Sequence, residues 1–132
     1  MDATRPDVMV LGTRWPERAL LRAQLLEAGF EVLAIDAWPI PRLYRRDAMK
    51  PRALIVDLQG LPRPQAVLDE VRLVLDPKQV IFVMAMGTVA VADVARHGYH
   101  VVNRPVSIGG LVLAAAALLR DPTTAASVAP AT

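Results

Sequence analysis

The sequence predicts one doubly wound α/β domain, with five parallel strands in one sheet and helices on both of its faces. Short aliphatic runs alternate five times with segments that have one apolar side, which is typical of strand-helix repeats. The runs are apolar throughout, as in strands that are buried on both faces. Because crossovers between parallel strands are right-handed, the connecting helices cover both faces of the sheet.

Apolar runs, glycines and prolines set the bounds of the expected elements. The predicted strands cover residues 8–11, 30–35, 53–56, 80–86 and 99–102, and the predicted helices cover 16–28, 65–75, 89–97 and 108–119. Over residues 43–49, before Pro51, the chain can make at most a short helix. We expect Gly29 to end the first helix and Ser107 to cap the last one.

The length of the chain favours one domain followed by a tail. A chain of 132 residues is enough for one hydrophobic core, and the sequence contains no internal repeat. Residues 121–132 are mostly small, include two prolines and have no periodicity. We therefore predict a domain over residues 1–120 and a flexible C-terminal tail over 121–132.

Composition excludes several classes of function. The chain has no cysteine, so disulfides, thiolate catalysis and zinc-cysteine sites are excluded. A net charge of +2 and an aromatic content of 5% do not favour direct nucleic-acid binding. The longest apolar run, 111–119, is too short to span a membrane, and the N-terminus lacks the basic start and apolar core of a secretory signal. We expect a cytoplasmic protein.

Candidate site residues follow the predicted strands. Gly12, Thr13 and Arg14 follow the first strand, Asp57 follows the third, Thr88 comes soon after the fourth, and Arg104 follows the fifth. In doubly wound sheets, ligands bind at the carboxyl ends of the strands. We therefore take these residues as the candidates for ligand binding or catalysis.

From about residue 7 to residue 120, the chain resembles the receiver domain of response regulators, which has a flavodoxin-like fold. That family carries an acidic pair after the first strand, an acceptor aspartate after the third, Thr or Ser after the fourth and Lys-Pro after the fifth. The spacing through Gly29 and Phe30 fits, Asp57 stands at the acceptor position, and Arg104-Pro105 stands at the position of Lys-Pro. The resemblance also suggests a turn at Arg104-Pro105 that could contain a cis peptide bond.

The departures from the family concern the chemistry. Gly12 and Thr13 replace the acidic pair, and Met84 stands at the position of the hydroxyl residue, with Thr88 a few residues later. In that family, phosphoryl transfer to the aspartate uses Mg²⁺ held by several oxygen ligands, and one carboxylate makes a poor magnesium site. We therefore predict a degenerate pseudo-receiver with no metal, no cofactor and no enzymatic activity, in which Asp57 is a vestigial phospho-acceptor.

An arginine is the predicted replacement for the cation. A carboxylate at a strand end can be permanently paired with a nearby guanidinium, and Arg14 and Arg104 are the two candidates. Thr88 is a third candidate binding residue, because Gly87-Thr88 at a helix start could hold an anion. The hypothesis requires one of the two guanidinium groups to lie within salt-bridge distance of Asp57.

The leading interpretation is a non-catalytic regulatory module that signals through a protein partner or a homodimer. The resemblance implies an interface formed by the last two helices and the fifth strand, and the last helix is apolar around much of its circumference. If the chain acts in transcription, another polypeptide supplies the nucleic-acid contact. The Arg42, Arg45 and Arg46 cluster fits either an anionic partner or a solvated helix face.

Two other interpretations stay open at this point. One is a working phospho-acceptor receiver, in which Asp57 and Mg²⁺ serve a two-component phosphorelay. The other is a flavodoxin-like domain that binds a small molecule, which would need a phosphate-cradling loop after the first strand. Gly12, Thr13 and Arg14 only hint at such a loop.

Overall fold

The computed structural model describes residues 6–36, 50–84, 94 and 96–120, and five parallel strands in it form one sheet. The strands are β1 (Val8–Leu11), β2 (Val32–Ile35), β3 (Ala53–Asp57), β4 (Val80–Met84) and β5 (His100–Asn103). The described helices are α1 (Trp15–Glu27), α2 (Pro64–Val74) and α3 (Ile108–Arg120), and a 3₁₀ turn spans Pro77–Gln79.

The strand order is β2-β1-β3-β4-β5, which is the flavodoxin-like order of doubly wound sheets. Every residue of β1, β3 and β4 is buried, whereas β2 and β5 at the edges are partly exposed. This explains why the three central strands have the most uniformly apolar sequences. The predicted fold class is confirmed.

Alternate residues of each strand face two separate cores, one on each side of the sheet. On one side, Val10 and Ile55 pack against Leu21 of α1 and Leu111 of α3. On the other side, Phe82 and its neighbours pack against α2. Side chains two residues apart in a strand therefore face the same helices.

The two helix caps that the sequence predicts are present in the structure. Gly29 follows the last turn of α1 with a φ of 98°, a left-handed conformation that glycine adopts without strain. The Ser107 Oγ accepts a hydrogen bond of 2.9 Å from the Gly110 N–H, which confirms the predicted cap of α3.

The bounds of some elements differ from the sequence-based prediction. β2 begins at Val32 and not at residue 30, because the Glu31 N–H donates to the Asp7 carboxylate and the Glu31 carbonyl accepts from the Asp7 N–H. Through these hydrogen bonds, Glu31 connects the end of the α1-β2 turn to the residue that precedes β1. β3 extends to Asp57, and β5 runs over His100–Asn103, so it begins and ends one residue later than the predicted strand.

Several predicted features lie outside the described residues. They are the helix over 43–49 with the Arg42, Arg45 and Arg46 cluster, the end of the fourth strand with Thr88, most of the helix over 89–97, and the tail 121–132. In the described part of the chain, no helix is both long and apolar enough to cross a membrane.

Candidate functional site

Asp57 ends β3 beside the point where the strand order reverses, between β1 and β3. Its side chain is the one charged group that is buried among the described residues, with a relative exposure of 7% for the residue. A Cβ added to Gly12, which follows β1, would lie 3.7 Å from the Asp57 Cβ. The carboxylate thus lies at the carboxyl edge of the sheet, where ligands of this fold bind.

The Arg104 guanidinium binds two carboxylates at once. Its Nη2 lies 2.6 Å from Oδ2 of Asp57 and 2.5 Å from Oε1 of Glu17. Its Nη1 donates a further hydrogen bond of 2.8 Å to Oε2 of Glu17, so the contact with Glu17 is bidentate. We call this group of three residues the Arg104 clamp.

The fold explains how Arg104 reaches across the sheet. Its N–H donates to the Met84 carbonyl at 2.9 Å, which holds its backbone against the end of β4, one strand away from Asp57. Val102 packs in the core on the α1 side of the sheet, and Arg104, two residues later, points to the same side. The peptide bond between Arg104 and Pro105 is cis.

The clamp shifts the pKa values of Glu17 and Arg104. The hydrogen bond from Arg104 lowers the pKa of Glu17 below its ordinary value, against an opposing effect of burial. The same contact, followed by the one to Asp57, raises the pKa of Arg104 above its already high value. Arg104 therefore stays charged at any pH at which the domain folds.

Gln59 ties the β3-α2 loop to the β1-α1 loop beside the clamp. Its N–H donates to Oδ1 of Asp57 at 3.0 Å, and its carbonyl accepts from the Thr13 hydroxyl at 2.9 Å. Nη2 of Arg14 donates to Oε1 of Gln59 at 2.7 Å. The next residue, Gly60, has a φ of +86°, and a Cβ there would lie 2.3 Å from the Thr13 Oγ1. The close contact between the two loops thus needs glycine at this position.

The structure distinguishes between the two arginine candidates for the partner of Asp57. Arg104 lies at salt-bridge distance from Asp57, whereas Arg14 binds Gln59. Sequence reasoning missed Glu17, which is not among the residues that follow the predicted strands. Its position in the first turn of α1 was an available signal, because that turn starts at the carboxyl edge of the sheet.

Among the described residues, the arrangement around Asp57 does not fit the magnesium ion that the receiver family uses. Both oxygens of Asp57 and both oxygens of Glu17 already accept hydrogen bonds, and Arg104 supplies three of these four. No group of three acidic, histidine or cysteine side chains that could hold a metal ion occurs within the described ranges. A cation would first have to displace the guanidinium.

Several solved structures that are similar to this chain are receiver domains. The receiver domain of NtrX from Brucella abortus is 22% identical, with a TM-score of 0.66 over 86% of this chain and 98% of that one. The signal receiver domain of a putative LuxO repressor protein from Vibrio parahaemolyticus is 20% identical, with a TM-score of 0.70 over 96% and 99%. The receiver domain of the Francisella response regulator 1452 is 14% identical, with a TM-score of 0.66 over 89% and 99%.

The chain therefore has the fold of a response-regulator receiver domain over nearly the full length of such domains. No protein-family model and no curated protein sequence matches the chain.

Replacing Arg104 should destabilise the domain more than replacing a comparable surface arginine. Arg104→Met keeps an apolar stem but leaves Asp57 and Glu17 without their cation, and we expect a loss of about 2–3 kcal/mol in the free energy of unfolding. The matched control is Arg52→Met, which breaks an exposed pair with Asp7 at 3.1 Å and should cost about 0.5 kcal/mol. Urea denaturation measures the free energy of unfolding of both variants. Equal losses would contradict a stabilising role of the clamp.

The contribution of Glu17 should depend on pH. Because folding lowers the pKa of Glu17, its ionised form stabilises the domain at pH values above the ordinary value of 4.5, and this stabilisation is lost as the pH falls through the lower, folded value. Glu17→Gln should therefore be less stable than the wild type at neutral pH, and the difference should shrink below about pH 4.5. Urea denaturation between pH 3 and pH 7 measures it, and a difference that does not vary with pH would contradict this account.

Proposed function

We propose that the chain is a non-catalytic regulatory module of the receiver type, which signals by partner docking or dimerisation and without magnesium-dependent phosphorylation. The Arg104 clamp carries the proposal, because it gives the acceptor carboxylate a cation that belongs to the chain itself. In this account Asp57 is a structural carboxylate and not a phospho-acceptor.

Phosphoryl transfer needs an acceptor oxygen that is free to attack. Oδ2 of Asp57 accepts from Arg104 at 2.6 Å, and Oδ1 accepts from the Gln59 N–H at 3.0 Å. A magnesium ion holds several oxygens and still leaves room for the phosphoryl group. The guanidinium instead donates three hydrogen bonds in fixed directions, two of them to Glu17 in a bidentate contact. The arrangement favours a permanent ion pair between Asp57 and Arg104 over phosphorylation of Asp57.

The last helix supports a docking function. Between Ile108 and Leu119 it has no charged residue, and Leu113 on its outer side is 69% exposed. It lies on the α1 side of the sheet and directly follows the Arg104-Pro105 turn after β5, which is an edge strand. An apolar helix surface of this kind fits a protein partner or a second copy of the chain. Most of the helix before β5, the remaining part of the expected interface, lies outside the described residues.

A working phospho-acceptor remains the second candidate, and Glu17 is the observation that favours it. Glu17 gives the site a second carboxylate close to Asp57, which the sequence pattern had not indicated. If Arg104 moved away, the two carboxylates would face one another at the place where the family binds its cation. This candidate requires the clamp to open in the native protein.

Titration with Mg²⁺ and beryllofluoride tests the proposal. Beryllofluoride mimics a phosphoryl group on the acceptor aspartate, so a functional receiver binds it when Mg²⁺ is present. We expect no shift in Tm and no binding heat for the wild type. A ligand present at 100 times its Kd would stabilise the domain by about 2.7 kcal/mol, which thermal unfolding would detect.

The control is Asp57→Asn, which cannot form the acceptor complex. Wild type and variant should give the same flat titration. A saturable, magnesium-dependent stabilisation of the wild type that Asp57→Asn lacks would overturn the proposal in favour of the phospho-acceptor.

A further inference from the structure

Helix α1 has an apolar outer face as well as an apolar inner one. Leu21 and Leu25 are buried against the sheet. On the opposite side of the helix, Leu20 is 50% exposed and Leu26 is 42% exposed. The outer face is completed by the exposed small or apolar residues Pro16, Ala19 and Ala23. A surface helix with one stripe packed inward ordinarily presents polar residues outward, whereas here apolar side chains are left exposed in the described part of the chain.

The outer residues have the spacing of a two-helix seam. Pro16, Ala19, Ala23 and Leu26 are separated by three, four and three residues, which is the alternation of the a and d positions of a heptad. Alanines at these positions let two helix backbones approach closely. The stripe therefore fits another helix better than it fits an extended peptide.

Two opposite charges flank this stripe. Arg22 and Glu27 are both exposed, and they occupy the g and the following e position, five residues apart. Neither side chain makes a hydrogen bond or ion pair in the part of the chain that the structure describes. A face with an apolar centre and one charge of each sign on its two flanks is complementary to itself.

We infer that α1 is a self-association surface, on which α1 of a second copy packs in parallel. In a parallel pair related by a two-fold axis, each g residue faces the following e residue of the other helix. Arg22 then meets Glu27 of the partner subunit, and the symmetric pair forms on the other flank. In an antiparallel pair the same flanks meet, so Arg22 would face the partner's Arg22 and the charges would repel.

This surface is separate from the Arg104 clamp. Glu17 and Arg18 point inward, where Arg18 donates to the Gly12 carbonyl at 2.6 Å and Glu17 binds Arg104. The inference therefore goes beyond the proposed function and does not depend on the state of Asp57. A contact made by one 13-residue helix is smaller than a standard interface, so we expect a weak dimer with a Kd of about 100 µM.

Charge reversal with rescue tests the inference. Sedimentation equilibrium from about 10 µM to about 1 mM should show a monomer-dimer equilibrium for the wild type. Arg22→Glu and Glu27→Arg should each raise the Kd by about tenfold, because two attractive pairs become repulsive. The double variant should restore the wild-type Kd, and an equimolar mixture of the single variants should form heterodimers. Lys78→Glu, an exposed charge reversal away from α1, should leave the Kd unchanged.

Three results would overturn the inference. They are a wild type that stays monomeric over the whole range, self-association that the two single variants do not weaken, and a double variant that stays as weak as the single ones. Circular dichroism and Tm of each variant establish that a loss of dimer is not a loss of fold. The beryllofluoride titration reports on the proposed function separately, so that either idea can fail without the other.

Discussion

The structure depends on one guanidinium group that pairs with two carboxylates at the carboxyl edge of the sheet. Arg104 lies 2.5 Å from Glu17 and 2.6 Å from Asp57, and it follows the edge strand β5. Without that charge, a buried aspartate and a nearby glutamate would repel one another in a site with little water to screen them. The contact therefore joins the end of β3, the first turn of α1 and the turn after β5, which are far apart in the chain.

The clamp also explains what the rest of this edge does. Gln59 binds Asp57 on one side and the Thr13 and Arg14 loop on the other, so the β1-α1 and β3-α2 loops are joined beside the Arg104 clamp. In a receiver that uses metal, the same edge must stay open to a cation and a phosphodonor. Here all four carboxylate oxygens of Asp57 and Glu17 accept hydrogen bonds from described residues of the chain itself. Among the described residues, exposed leucines lie on the outer sides of α1, at Leu20 and Leu26, and of α3, at Leu113.

Much of this could be predicted from the sequence, and the failures have physical reasons. Aliphatic runs predicted the five strands because central strands have no solvent-facing side. Arg104 was a candidate because it follows the fifth strand, but the order of residues alone could not choose between it and Arg14. Side-chain alternation makes that choice: Val102 faces the α1 core, so Arg104 does too. Glu17 was missed because helix periodicity separates apolar from polar sides and does not show that a first turn starts beside a buried carboxylate.

The central claim is that the guanidinium takes the place of a metal cation. Rescue of Arg104 variants by an added metal ion tests it most directly. Arg104→Ala and Arg104→Gln both remove the guanidinium and leave the carboxylates of Glu17 and Asp57 in place. The distances from Nη2 to their oxygens fall within the range of calcium-oxygen bonds, about 2.3–2.6 Å. Thermal unfolding with and without millimolar Ca²⁺ or Mg²⁺ should show both variants stabilised by the cation and the wild type unaffected. Equal stabilisation of the wild type, or none in either variant, would contradict the account.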